Sequence, residues 1–141
     1  MERVAIRQVA ALPFRNVGPA KDDVLILLVT SRDTKRWVLP KGNLMAGIAS
    51  HRAAAREAEE EAGVRGTIAR KPLGRFPCRK WRSAKRFDMA KVDVFALKVT
   101  KILDTWKEQG QRERRWATRA EAAELVDEPE LRALILSARL R

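Results

Sequence analysis

The sequence predicts a single α/β domain over residues 1–141, with strands wrapped around one central helix and further helices at the C-terminus. Three observations point there. Residues 24–29 form an aliphatic run of the length of a buried strand. Residues 50–63 hold alanines and glutamates at helical spacing and end on a glycine. Near the C-terminus, Leu131, Leu134, Ile135 and Ala138 recur with helical period. A chain of 141 residues with 45% hydrophobic and 34% charged content suffices for one real core and is not the composition of a disordered segment.

Residues 3–14 alternate loosely and read as a first strand. Residues 16–23 collect Asn, Gly, Pro and Asp and read as a turn. Residues 24–31 form the second, central strand, and residues 33–36 a turn. Trp37, Val38 and Leu39 make a short strand closed by Pro40, Lys41 and Gly42. A loop over residues 43–49 leads into the central helix, for which Ser50 is the expected N-cap and Gly63 the stop. Residues 66–76 and 86–100 read as two strands of a long hairpin, joined by a basic connection over residues 77–85. A polar loop over residues 104–111 precedes a last short strand at residues 113–117. Thr118 and Glu121 have the spacing of a capping box, and Pro129 opens the final helix.

The formal net charge of +12 implies an anionic partner: nucleic acid, an acidic membrane surface or a highly phosphorylated small molecule. No apolar run is long enough to cross a bilayer, and the N-terminal residues lack a signal-peptide pattern. The single Cys78 forms no intramolecular disulfide, which favours a reducing compartment. A soluble cytoplasmic protein is expected; oligomeric state is left open.

The chemistry concentrates on the central helix. Side chains three and four apart share a helix face, so Glu57, Glu60 and Glu61 are expected to converge. Ala54, Ala58 and Ala62 line another face and are small enough to let the helix lie close on a sheet. Crowded carboxylates repel by roughly 0.2–0.5 kcal/mol per exposed pair. A divalent cation reverses that sign, and hard oxygen ligands suit Mg2+ or Mn2+.

Residues 42–64 resemble the Nudix box: Gly, five residues, Glu, seven residues, then Arg-Glu-U-x-Glu-Glu-x-Gly-U, where U is bulky and apolar. Gly42, Arg56, Glu57, Glu60, Glu61, Gly63 and Val64 stand at its spacing. Ala58 fills the inner apolar position with a small side chain. Ile48 occupies the position of the first glutamate, and no carboxylate occurs between Gly42 and Arg56. The resemblance implies the Nudix fold, a mixed sheet between helices. It implies metal ligation by Glu57, Glu60 and Glu61 with the Gly42 carbonyl, Arg56 orienting the carboxylates, and catalytic roles for Glu57 and Glu60. Glu57, Glu60 and the loop residue Glu108 are the candidates for general base.

Trp37-Val38-Leu39-Pro40-Lys41-Gly42 resembles the entry to the box in Nudix enzymes acting on diadenosine and diphosphoinositol polyphosphates, which implies that Lys41 faces phosphate. Residues 102–106 with Arg112, Arg114, Trp116 and Glu121 resemble the diphosphoinositol polyphosphate phosphohydrolase branch and map a phosphate-binding arginine onto Arg114. The basic connection carries Arg79, Lys80, Arg82 and Lys85 beside Trp81, suiting the rim of a polyphosphate site or a single-stranded nucleic acid. Its basic surroundings are expected to lower the Cys78 pKa. His51, the only histidine, reads as a surface or capping residue in the helix's first turn.

The expected function is metal-dependent hydrolysis of a phosphoanhydride in a nucleoside- or inositol-linked diphosphate or polyphosphate. Substrate binding is assigned to Lys41, Arg79, Arg112 and Arg114. A phosphorylated small molecule is favoured over nucleic acid. The alternative is a catalytically impaired Nudix domain that binds a nucleotide or RNA.

Overall fold

A computed structural model of the protein describes residues 6–141. Residues 3–5 of the expected first strand lie outside the described residues. The strands are β1 (Ile6–Asn16), β2 (Val24–Thr30), β3 (Trp37–Val38), β4 (Lys41–Asn43), β5 (Val64–Ile68), β6 (Gly74–Trp81), β7 (Phe87–Ile102) and β8 (Arg114–Thr118). The helices are α1 (Ser50–Glu57), α2 (Arg119–Leu125) and α3 (Pro129–Ser137).

The strands form one mixed sheet whose main path runs β3-β2-β1-β7-β5, with β4 on β1, β6 on β7 and β8 on β2. β1 and β7 lie parallel, from Ile6 opposite Ala90 to Phe14 opposite Lys98. The other pairings are antiparallel. Strand periodicity of two divides the core into two layers. Val9, Ala11, Leu27, Val29, Phe95 and Leu97 pack beneath α1 against Ala53, Ala54, Ala58 and Ala62. Their neighbours Ala10, Leu12, Ile26, Leu28, Val92 and Val94 point the other way, toward Ala122, Leu131 and Ile135 of α2 and α3. Each fully buried Leu or Ile contributes about 1.5–3 kcal/mol. The expected mixed sheet between helices is the observed architecture.

Residues 41–43, read as the close of the short strand and the start of a loop, form β4, and two further boundaries differ from the sequence reading. The strand expected over residues 66–76 is two strands, β5 and β6, separated by Pro72 and its flanks, and both pair with β7. β6 then continues through Arg79 and Lys80, so the turn to β7 is confined to residues 82–86. Pro77 is tolerated because β6 pairs on one side only, with β7. Second, Ser50 is the first helical residue: Ala49 is the N-cap and offers no side-chain cap. From Ala58 to Ala62 the helix widens into a π turn and stops at Gly63, whose φ of +66° is left-handed. The capping box of α2 forms as expected. Glu121 N–H donates to Thr118 Oγ1 at 3.2 Å, and Thr118 N–H donates to Glu121 Oε1 at 2.9 Å.

Candidate active site

β4 and the end of α1 build the floor of the site. β4 pairs with β1, Gly42 opposite Val9 and Asn43 opposite Gln8. This sets the Gly42 backbone directly on the Glu57 carboxylate: any Cβ at position 42 would overlap it. The neighbouring Lys41 N–H donates to Glu61 Oε1 at 3.3 Å. Glu61 is 6% exposed. Burial, reinforced by its contact with the Glu57 carboxyl, pushes the Glu61 carboxyl up to about 8. Glu57 is also raised, chiefly by burial, with the Glu60 and Glu108 charges adding to the effect. The two carboxyl groups therefore hold a proton between them.

The expected trio does not converge. Glu60 is drawn back to Arg56 at 3.2 Å, one turn earlier, and to Lys107 Nζ at 3.7 Å. Among the described residues no three carboxylate, thiol or imidazole groups cluster closely enough to hold a metal ion. Two carboxylates that disfavour ionisation, Glu61 buried and Glu57 half-buried beside the β4 backbone, still fit a magnesium-like ion. Such an ion commonly takes one or two carboxylates and completes its shell with water and substrate phosphate.

Ile48 is 37% exposed, so the residue that interrupts the box does not fill the core. The Arg56 guanidinium lies over this turn, with Nη1 at 4.0 Å from Met45 Sδ. Ile48→Glu is therefore expected to leave stability within about 0.5 kcal/mol. It should tighten metal binding or raise turnover by about ten-fold, the scale of outer partners of metal ligands. Turnover against metal concentration, with a thermal melt, checks this; a stable variant without gain shows that position 48 carries no such role.

A basic wall rises over Glu61. A cavity of about 260 Å³ is lined by Arg32, Arg36, Lys41, Arg79, Lys80 and Arg112 together with Glu61. Arg112 is positioned from three sides. Its Nε donates to Glu108 Oε1 at 2.9 Å, its Nη1 to the Thr30 carbonyl at 3.0 Å, and its Nη2 lies 3.9 Å from Glu61 Oε1. Lys41 Nζ donates to Gln8 Oε1 at 2.9 Å, and Lys80 Nζ to Asn43 Oδ1 at 3.1 Å. Arg36 is engaged by Asp127 at 2.8 Å and Glu128 at 3.7 Å. The sequence reading missed Gln8, Asn43, Arg32 and Arg36. Gln8, a buried amide in an apolar strand, was the available signal.

Two expectations are corrected here. Arg114 does not line this cavity. Its guanidinium stacks 4.0 Å from the Trp106 ring centroid. It donates to the carbonyls of Ala62 at 2.9 Å, Gly63 at 3.4 Å and Leu103 at 3.4 Å. Arg114 thus fastens the loop after β7 to the end of the carboxylate helix. Arg114→Leu is expected to lower stability by about 1–3 kcal/mol, because those carbonyls lose their donor. KM for a polyphosphate should stay within about two-fold of wild type; denaturant melts and saturation kinetics read the two effects separately. Cys78 is likewise not an activated thiol: burial pushes it up, outweighing the nearby Lys41 and Arg36 charges.

An α–β–α fold with a Gly-x14-Glu-x3-Glu helix under a basic cleft defines a Nudix domain. The NUDIX domain family model matches residues 6–137, and the chain belongs to that family. It is similar to Nudix hydrolase 12, mitochondrial, of Arabidopsis thaliana, 42% identical over 103 residues, covering 71% of this chain and 51% of that protein. Against diphosphoinositol polyphosphate phosphohydrolase 3-alpha of Mus musculus the identity is 33% over 112 residues, covering 78% and 62%. The chain thus spans about half to two thirds of the length of these relatives. In fold it matches the MutT protein of Methanosarcina mazei, with a TM-score of 0.68 at 20% identity, covering 96% and 93% of the two chains. The Ap4A hydrolase of C. elegans gives 0.64 at 18% identity, covering 94% of each.

Proposed function

We propose that this protein is a divalent-metal-dependent pyrophosphohydrolase that splits a phosphoanhydride bond in a nucleoside- or inositol-linked diphosphate or polyphosphate. The observation that carries the reading is the basic cavity whose wall includes the buried Glu61. Cations above receive a polyphosphate chain, and the carboxylates below suit a divalent ion. The family generally uses such ions, and the names of relatives point to phosphoanhydride substrates.

Glu57, Glu61 and the Gly42 carbonyl would hold the ion, Mg2+ or Mn2+. When bound, it supplies charge neutralisation on the phosphate oxygens and a lower pKa for a coordinated water. Arg112, fixed by Glu108 and the Thr30 carbonyl, orients phosphate over the carboxylates. Lys41 and Arg79 neutralise the chain further along the cavity. In the reaction a water oxygen bonds to phosphorus, the bond from phosphorus to the bridging oxygen breaks, and the departing phosphate keeps that electron pair. The water's proton passes to a carboxylate. Glu108, fixed by Arg112 close enough for its charge to act on Glu57, is the candidate acceptor, since Glu57 itself would hold the ion and Glu60 serves Arg56.

A second reading is a binding module without turnover, favoured by Ile48 in the box and by the diversion of Glu60. Phosphate release from a panel of nucleoside and inositol polyphosphates, with magnesium and with a chelator, separates them. Metal-dependent release is expected. Tight binding of a polyphosphate without release under any divalent ion would establish the second reading.

A further inference from the structure

A second basic cavity, of about 1010 Å³, lies away from the carboxylates. β1 runs from Gln8, bonded to Lys41 in the catalytic cavity, to Asn16, which lines this one. At about 3.3 Å per residue the two ends are roughly 26 Å apart, so one small ligand does not reach both. The turn between β1 and β2 forms one wall through residues 18–21. Lys98 of β7 and the chain around Arg139, beyond α3, form the others.

Buried polar bonds fix these walls. Arg119 is 4% exposed. Its Nη1 donates to the carbonyls of Ile135 at 2.7 Å and Ala138 at 2.9 Å, and its Nη2 to the Lys21 carbonyl at 3.0 Å. Asn16 Nδ2 donates to the Leu140 carbonyl at 2.9 Å. The carbonyls at the end of α3 carry its negative pole and would oppose an anion, but these donors engage them. The two carboxylates of the turn have partners as well. Asp22 lies 3.2 Å from Arg119 Nε, and Asp23 accepts from the Ala20 N–H at 3.0 Å. What lines the cavity is cationic: Lys21, Lys98, Arg139 and Arg141, and among the described residues no Asp or Glu. None of these four side chains has an ion pair or a hydrogen bond among the described residues.

Like charges around one concavity repel, and an anion reverses that sign. The charges come from three separate segments, so a chain of several phosphates spans them where a single phosphate does not. The lining offers no carboxylate to seat a divalent ion, so phosphate meets lysine and arginine directly. Among the described residues no aromatic ring lines it either, and single-stranded nucleic acid would lack its stacking platform. We propose that Lys21, Lys98 and Arg139, with Arg141, form a second anion site that binds a free oligophosphate directly, without a divalent ion. The site is separate from the hydrolytic cavity and does not depend on its chemistry.

Titration of the isotope-labelled full chain with inorganic tetraphosphate in chelator-containing buffer, read residue by residue by NMR, tests the site. The amides of Ala20 and Ser137 are expected to shift saturably, while those of Gly42 and Lys80 report the catalytic cavity separately. Lys98→Glu/Arg139→Glu, at two exposed positions, should weaken binding at Ala20 and Ser137 at least about ten-fold and leave Gly42 and Lys80 responding as in wild type. Lys98→Gln alone should weaken it about two- to five-fold, which decides the matter if the double variant melts early. Lys85→Glu/Arg86→Glu, an equal charge change at the β6–β7 turn, should stay within about two-fold of wild type. Absence of saturable shifts at Ala20 and Ser137, or wild-type affinity in both Lys98 variants, overturns the site. An equal loss in Lys85→Glu/Arg86→Glu overturns it in favour of attraction to net charge. Binding that appears only when magnesium replaces the chelator overturns it too, as does a 5′-hydroxyl oligonucleotide that shifts the same amides at lower phosphate concentration.

Discussion

Glu61→Gln is expected to lower metal-dependent turnover by at least about 100-fold. The substitution keeps size and removes the charge, and even outer partners of a metal site are worth 10–100-fold. Glu57→Gln should behave alike, because its carboxylate lies against Gly42 and shares a proton with Glu61. Glu60→Gln should stay within about ten-fold of wild type: its carboxylate serves Arg56 and Lys107. The same geometry sets a pH dependence. Burial first, and then Glu57, raise Glu61 from an ordinary 4.5 to about 8. The folded protein thus keeps a proton that the unfolded chain has lost across that window. Chelated wild type should lose stability as pH rises through it. A divalent ion displaces the proton, so it should raise Tm more at the upper end of that window than at the lower, and Glu61→Gln should flatten both trends. Retained turnover in Glu61→Gln, or a metal-induced Tm shift indifferent to pH, would overturn the assignment of the carboxylate pair.

Gly63→Ala is expected to destabilise the protein by about 2–4 kcal/mol, through two additive causes. The backbone at Gly63 has φ +66°, where a side chain costs roughly 1–2 kcal/mol. A Cβ there would also lie 2.5–2.8 Å from Trp106 ring atoms. The ring cannot simply withdraw, since Arg114 stacks on it. The loop is also tied down at both ends, Leu103 N–H donating to the Gly63 carbonyl at 2.8 Å and Glu108 N–H to the Glu60 carbonyl at 3.0 Å. The expected fall in Tm is roughly 6–12 °C, read by calorimetry. A fall of less than about 2 °C would show that Trp106 does not hold this turn.

The box was legible because its chemistry is local. Glu57 and Glu61 stand one turn apart, and Gly63 ends the helix where a left-handed residue is needed. The diversion of Glu60 was half legible: Arg56 stands four residues earlier, the spacing of a helical ion pair, whereas the π turn over Ala58–Ala62 leaves no mark in hydrophobic period. The layers followed from strand alternation and from the small residues of α1. The break between β5 and β6 was marked by Pro72 and Gly74 and went unread because the flanking apolar residues suggested one continuous strand. Arg114 shows the limit of transferring a role along an aligned motif: the residue is in register, but Trp106 and three carbonyls have claimed its guanidinium.

The parallel union of β1 with β7 bears on how the molecule reaches its structure. β1 is made well before its partner along nine consecutive positions, from Ile6 with Ala90 to Phe14 with Lys98. Closing so long a loop carries its entropy loss before any pairing repays it, so assembly of the sheet's centre belongs to the slow regime of non-local topologies. α1 rests on Val9, Ala11, Phe95 and Leu97 together, hence on both strands. A nascent chain ending before β7 therefore holds the whole carboxylate helix with Val9, Ala11, Leu27 and Val29 beneath it but without Phe95 and Leu97 to complete its seat. Catalytic competence and completion of the sheet should then emerge in a single kinetic phase.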